Sequence, residues 1–139
     1  MSVRDEDGFT FLFREHYQAV LRYAWRRIGP GDAGDIAAET FKIAWEKYHR
    51  IPADRQLPWL YTTARQLIMN LVRKDERRGE LLVEELEPGI GGDPAVSVAA
   101  RQAALAALNE LSADDRELVL LVSWEGLDAR QAAAVIGYP

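Results

Sequence analysis

The sequence predicts an all-α protein of two small helical domains joined by an acidic flexible linker, the second an incomplete helix-turn-helix domain. Three observations carry this. Apolar residues recur every three to four positions over most of the chain. No segment sustains the alternation and β-branched enrichment of a strand. One glycine-rich acidic stretch, residues 79–93, interrupts the helical pattern. The expected units are 1–78, the linker 79–93, and 94–139.

The first helix is expected from near Asp7 to the Gly29-Pro30 break. Phe9, Phe13, Tyr17, Val20, Leu21, Ala24 and Ile28 share its apolar face. A second helix is expected with Asp32 as cap and Asp35 in the first turn, where the helix dipole favours a carboxylate. Ile36, Ala37, Phe41, Ala44, Trp45 and Tyr48 form its stripe. His49 to Gln56, containing Pro52, reads as a loop. A third helix follows from Leu57, with Pro58 in its first turn and Leu60, Ala64, Leu67, Ile68 and Leu71 facing the core. In the linker, Pro88-Gly89-Ile90-Gly91-Gly92 supplies flexibility, while Leu81, Leu82, Val83 and Leu86 offer a segment able to dock on a neighbouring domain.

Asp93-Pro94 is the expected start of a fourth helix running to Asn109. Ser112-Ala113-Asp114-Asp115 reads as a capping-box-like start of a fifth. Asp128 with Gln131 caps a sixth, Ala129 to Ile136, and Gly137 suits the left-handed residue that ends it.

Charge is distributed unevenly. The net value is −5, yet residues 1–78 carry +3 and residues 79–139 carry −8. The front half can therefore present a basic surface to nucleic acid and the back half cannot. The chain has 139 residues, 48% hydrophobic and 28% charged, with no apolar run near the ~20 residues of a membrane span. The N-terminus lacks the pattern of a signal peptide, and there is no cysteine. A cytoplasmic protein without membrane insertion is the expectation.

Catalytic chemistry finds no support. The two histidines, His16 and His49, form no HExxH motif, and there is no phosphate-cradling loop. Ser123 lacks the setting of a nucleophile elbow. No enzyme activity, metal or cofactor is expected.

Two front-half segments point elsewhere. Asp32-Ala33-Gly34-Asp35-Ile36-Ala37-Ala38-Glu39-Thr40-Phe41 sets carboxylates on one helix face. Leu57-Pro58-Trp59-Leu60-Tyr61-Thr62-Thr63-Ala64-Arg65-Gln66 continues into the basic run Arg73-Lys74-Asp75-Glu76-Arg77-Arg78. An acidic docking face beside a basic, aromatic-bearing helix suits a protein that bridges another protein and nucleic acid. Together they resemble the second conserved region of bacterial RNA polymerase sigma factors of the extracytoplasmic-function type. The back-half strings Leu111-Ser112-Ala113-Asp114-Asp115-Arg116-Glu117-Leu118, Glu125-Gly126-Leu127-Asp128 and Ala132-Ala133-Ala134-Val135-Ile136-Gly137 are similar to the fourth region, which holds a helix-turn-helix. On that resemblance the chain is expected to be truncated before the recognition helix, and so unable to read a minus-thirty-five element.

The resemblance implies a factor that directs RNA polymerase to promoters and helps open them. It implies three partners: the core polymerase, through a coiled coil on its large catalytic subunit; promoter DNA, especially the minus-ten non-template strand; and an anti-sigma factor. Core binding is implied for Asp35, Ala38, Glu39 and Phe41. The family usually has glutamine at the Ala38 position.

DNA binding is implied for Arg50, Arg55 and Gln56 in the loop that captures a flipped base, with Asp54 and His49 nearby. Along the third helix it extends to Trp59, Arg65, Gln66, Asn70, Arg73, Lys74 and Arg77. The family often has Asn and Asp at the Gln66 and Asn70 positions. Trp59 and Tyr61 can stack on bases, although aromatics at helical spacing are more often core. Arg22, Arg26 and Arg27 either extend the basic surface or form a solvated face. The alternative function is a helical DNA-binding regulator that acts without docking on the polymerase core.

Overall fold

The computed structural model describes residues 3–74 and 97–137, with side chains from Asp5 onward. Six α-helices and one 3-10 turn make up these residues, with no strand among them. They are α1 (Val3–Ile28), α2 (Pro30–Glu46), the turn Tyr48–Arg50, α3 (Gln56–Lys74), α4 (Val98–Glu110), α5 (Ala113–Ser123) and α6 (Ala129–Ile136). The expected linker, the Asp93-Pro94 start, Arg77 and Arg78 lie outside the described residues.

Helices α1, α2 and α3 pack on one another. Leu12, Val20, Tyr23 and Ala24 of α1 meet Ala33, Ile36, Ala37, Phe41 and Ala44 of α2 and Leu60, Tyr61, Ala64 and Ile68 of α3. Four of these are alanines with no exposed surface, Ala24, Ala37, Ala44 and Ala64. Small side chains at the crossings let the helices approach closely. Burial at about 25 cal/mol per Å2 of apolar surface is the main force holding this unit.

Helix starts follow local chemistry, with three departures from expectation. α1 begins earlier than Asp7, at Val3. α2 begins at Pro30, so Asp32 lies in its first turn rather than capping it. The cap is Gly29, whose φ of 82° is a conformation that L side chains rarely adopt. Pro30 at the first position then costs no hydrogen bond and presets the helical φ. α4 is capped by Ser97, whose hydroxyl accepts from the Ala100 amide, and not by Asp93.

The remaining caps match the reading. Ser112 accepts from the Asp115 amide. Asp128 and Gln131 form the full reciprocal box. Gly137, at φ 87°, closes α6.

The back half does not stand apart from the front. α6 packs on α3 as well as on α5. Leu121, Leu127, Ala132 and Val135 are buried in the same apolar cluster as the α1–α3 core. Leu105 and Leu120, with Leu108 and Trp124 against them, make a second, smaller cluster.

Tyr23 and Tyr61 stack inside the shared core at a centroid distance of 4.9 Å. Burial raises both phenols, and Glu125 adds to it at Tyr61, which is pushed up to about 12 despite Arg27, Arg26 and Arg22. A raised phenol pKa means the unfolded chain loses protons first as pH rises. The contribution is fully present below pH 10, the ordinary value of a phenol, and declines as pH climbs toward about 12. A fall in the urea midpoint over that window is expected for the parent chain, and a smaller fall for Tyr61→Phe. Equal slopes would remove Tyr61 from the linkage.

Candidate functional site

Two surfaces of the α1–α3 unit collect the implied functional residues. The first is the outer face of α2. Helical spacing puts Asp35, Ala38, Glu39, Lys42 and Glu46 in one exposed row. Asp35 and Glu39 stand one turn apart, and among the described residues neither has an ion-pair partner. Phe41 is elsewhere. It is 3% exposed and packs edge-on against Phe13 at 5.1 Å, with Tyr17 at 5.8 Å. It therefore shapes α2 from beneath and is not itself a contact surface. Trp45 and Phe13, by contrast, keep more than a third of their surface in solvent although both were expected in the core.

The second surface is the loop before α3 and the outer row of α3. The loop is braced from below by Ile51, which is buried, and by backbone bonds from Ile51 N–H to Tyr48 C=O and from Arg55 N–H to Pro52 C=O. Arg50, Asp54 and Arg55 project outward. Arg55 lies 3.7 Å from Asp54, and both side chains are largely solvated, so this pair holds little geometry. His49 Nε2 is 3.2 Å from Asp5 Oδ2, which ties the loop to the start of α1. Gln56 bonds to His16, whose pKa burial lowers against the opposing pull of Glu15 and of that bond.

Along α3, Trp59 is half-buried against the core, and Thr62, Gln66, Asn70, Arg73 and Lys74 are exposed. Their spacing makes one continuous polar row that ends in two positive charges. The same two charges also suit the negative end of the helix dipole.

Arg65 leaves this row. It faces α5, where its Nη2 is 2.8 Å from Asp114 Oδ1, and its side chain is 15% exposed. Arg27 departs furthest from the sequence reading, being neither basic surface nor solvated face. Its Nε donates to both carboxylate oxygens of Glu117 at 3.0 Å. Nη1 and Nη2 donate to Glu125 at 2.8 and 3.2 Å. The Tyr23 hydroxyl donates to Glu117 at 2.7 Å. Burial alone pulls the Arg27 pKa down, but Glu117, Tyr23 and Glu125 outweigh it and hold the group above its ordinary value. Arg26 bonds to the Trp124 carbonyl and lies over its ring at 5.6 Å. Of the three arginines, only Arg22 stays exposed.

The sequence carried a signal for this clamp. Val20, Tyr23, Ala24, Arg27 and Ile28 fall on one face of α1, so Arg27 occupies a core position. A buried arginine needs carboxylates, but the sequence offers them in both halves and does not say which would meet it.

With this geometry in view, the comparisons are consistent. Residues 12–78 match the sigma-70 region 2 family, the stretch that holds both surfaces. The chain is 33% identical over 115 residues to a probable RNA polymerase sigma factor, RfaY, of Xanthomonas campestris pv. campestris. The match covers 74% of this chain, which spans 28% of that protein's length. No solved structure matches the chain significantly. The stretch that builds most of the α1–α3 unit and holds its two surfaces thus matches a sigma-70 region 2, and the chain is similar to RNA polymerase sigma factors.

Proposed function

We propose that this chain acts as a sigma factor of the extracytoplasmic-function type, directing core RNA polymerase to promoters and assisting their opening without covalent chemistry of its own. The observation that carries this is the pairing of two exposed surfaces on one rigid three-helix unit. The Asp35–Glu39 row offers carboxylates to arginines of the coiled coil on the polymerase large subunit. The α3 row and its preceding loop offer polar and basic groups to the minus-ten non-template strand. A regulator acting on DNA alone has no need of the first surface.

Roles divide by chemistry. Arg50, Arg55 and Gln56 frame the loop for a flipped base, with edge hydrogen bonds offsetting the few kcal/mol of unstacking. Gln66 and Asn70 face base edges; Trp59 supplies an aromatic rim. Arg73 and Lys74 neutralise phosphates, and Arg77 extends them on the same sequence pattern. Helices α5 and α6 supply the beginning of a helix-turn-helix. An anti-sigma factor is the further partner, and the cytoplasm is the compartment in which such partners meet.

The test is transcription from a candidate minus-ten promoter with core polymerase, with and without the chain. Sigma-dependent transcripts support the reading; their absence while the chain binds the same duplex alone favours the plain regulator. Within that assay, Arg73→Ala and Lys74→Ala are each expected to weaken DNA binding regardless of sequence. Each should reduce the slope of log K against log salt by about one unit. Unchanged affinity at low salt would show that the end of α3 does not track the phosphate backbone.

A further inference from the structure

The loop that carries Arg50, Arg55 and Gln56 is held by the first half of α1. Asp5, Gly8, Phe9, Leu12 and His16 fall at helical intervals, so they share one face of that helix, and none of them is exposed. At the near end of the loop, the Tyr48 ring stands so close over Gly8 that a Cβ there would overlap the phenol oxygen. The same ring meets Phe9 edge-on, with centroids 6.4 Å apart. Tyr48 opens the 3-10 turn, and His49 and Arg50 complete it. At the far end, where α3 begins, a hydrogen bond joins His16 to the Gln56 side chain. The Asp5–His49 pair is a weaker tie, since its imidazole is 72% exposed. Between the two ends Ile51 is buried, while Arg50 and residues 52–55 stay exposed.

A carboxamide has a donor end and an acceptor end, and a base edge distinguishes them. A hydrogen bond to the imidazole fixes which end remains for a base. We propose that the first half of α1 positions the base-capturing loop, His16 orienting the Gln56 carboxamide and Gly8 admitting the Tyr48 ring that sets the place of Arg50. This rests on the base-capturing role given above to that loop. His16 and Gly8 are positioning residues and act through Gln56 and Tyr48. A loop already ordered on a rigid helix loses little conformational freedom when a base enters, so more of the contact energy offsets unstacking.

The experiment uses the full chain assembled with core polymerase. Its probe is a fluorescein-labelled single strand of a candidate minus-ten non-template sequence, compared with copies carrying an abasic residue at one position at a time. The position whose loss weakens parent binding most is the captured base. His16→Phe keeps a ring at that place and removes the hydrogen bond. Gly8→Ala adds the Cβ that meets Tyr48, and Tyr48→Phe removes the oxygen it meets.

His16→Phe and Gly8→Ala should each lower the preference for the intact base at the captured position by about threefold to tenfold, the worth of one polar contact. Preference at the other positions and the salt slope should keep their parent values, because Arg73 and Lys74, the residues given to phosphate, lie at the other end of α3. In a Gln56→Ala background His16→Phe should change nothing further, as befits a residue that acts through its neighbour. Gly8→Ala with Tyr48→Phe should recover most of the parent preference. Four results would overturn the proposal: full preference in either single variant, an equal loss at every position, an undiminished His16→Phe effect without Gln56, or no recovery in the Gly8→Ala, Tyr48→Phe pair. Should Gly8→Ala lose helical content, His16→Phe alone and in the Gln56→Ala background is scored. A parent complex with no captured position would sink the base-capture reading and the positioning with it, whereas a captured position untouched by the variants would sink only the positioning.

Discussion

Replacing Arg27 with alanine is expected to destabilise the packed chain by about 3–5 kcal/mol, the usual cost of removing one partner of a buried ion pair. The guanidinium is enclosed, with 7% of its side chain exposed, and it satisfies two carboxylates at once. Without it, Glu117 and Glu125 stand close together on the α5 side of the seam with α1, with side chains 12% and 1% exposed. Two like charges held out of water disfavour the closed packing both by desolvation and by mutual repulsion. Arg27→Lys should recover only part of the loss, because a single ammonium cannot serve both forks. Arg27→Met with Glu117→Gln and Glu125→Gln should be closer to the parent than Arg27→Ala, because neither buried carboxylate is left charged and Arg26 alone loses its 3.6 Å ion pair to Glu125. Urea denaturation of the four chains decides this. A loss below about 1 kcal/mol for Arg27→Ala, the level of a surface pair, would show that the clamp is solvated in solution.

The second large effect is expected at the opposite face. Asp35→Arg with Glu39→Arg should reduce binding to core polymerase by more than about a hundredfold, since charge reversal turns two attractions into two repulsions and like-charge juxtaposition costs several kcal/mol. The fold should be unaffected, because both side chains are exposed and neither has an ion-pair partner among the described residues. Ala38→Gln, which adds the polar group usual in the family, should hold or raise affinity. A pull-down with purified core polymerase measures both, and circular dichroism confirms helical content. Retained affinity in the double variant would remove the docking surface from α2 and leave the plain DNA-binding reading ahead.

Much of the helical architecture was legible before any coordinates, because its causes are local. Ser112, Asp128 with Gln131, and Gly137 act on amides and carbonyls within four residues, so their roles can be read from the string itself. The apolar stripes of α2 and α3 were read almost as they stand: Ile36, Ala37, Phe41, Ala44, Leu60, Ala64 and Ile68 are all buried. The same periodicity misplaced Phe13 and Trp45, which lie at the rim of the stripe and stay partly in water. Register on a helix face does not say where the neighbouring helix ends. Phe41 shows the limit for function, since family position implied a contact and packing made it a support.

Helical content, the polarity of each surface and the likeness to sigma factors were therefore determined by the sequence alone, since period, cap chemistry and motif spacing are properties of short stretches. The partnership of Arg27 with Glu117 and Glu125, of Arg65 with Asp114, and the burial of Leu121, Leu127 and Val135 in the front-half core were decided only by the tertiary structure. The paired residues are separated by 49 to 98 positions, and a basic half followed by an acidic half is compatible with many pairings. A guanidinium selects its carboxylates by distance and orientation once the helices are packed, and neither quantity is written in the order of residues.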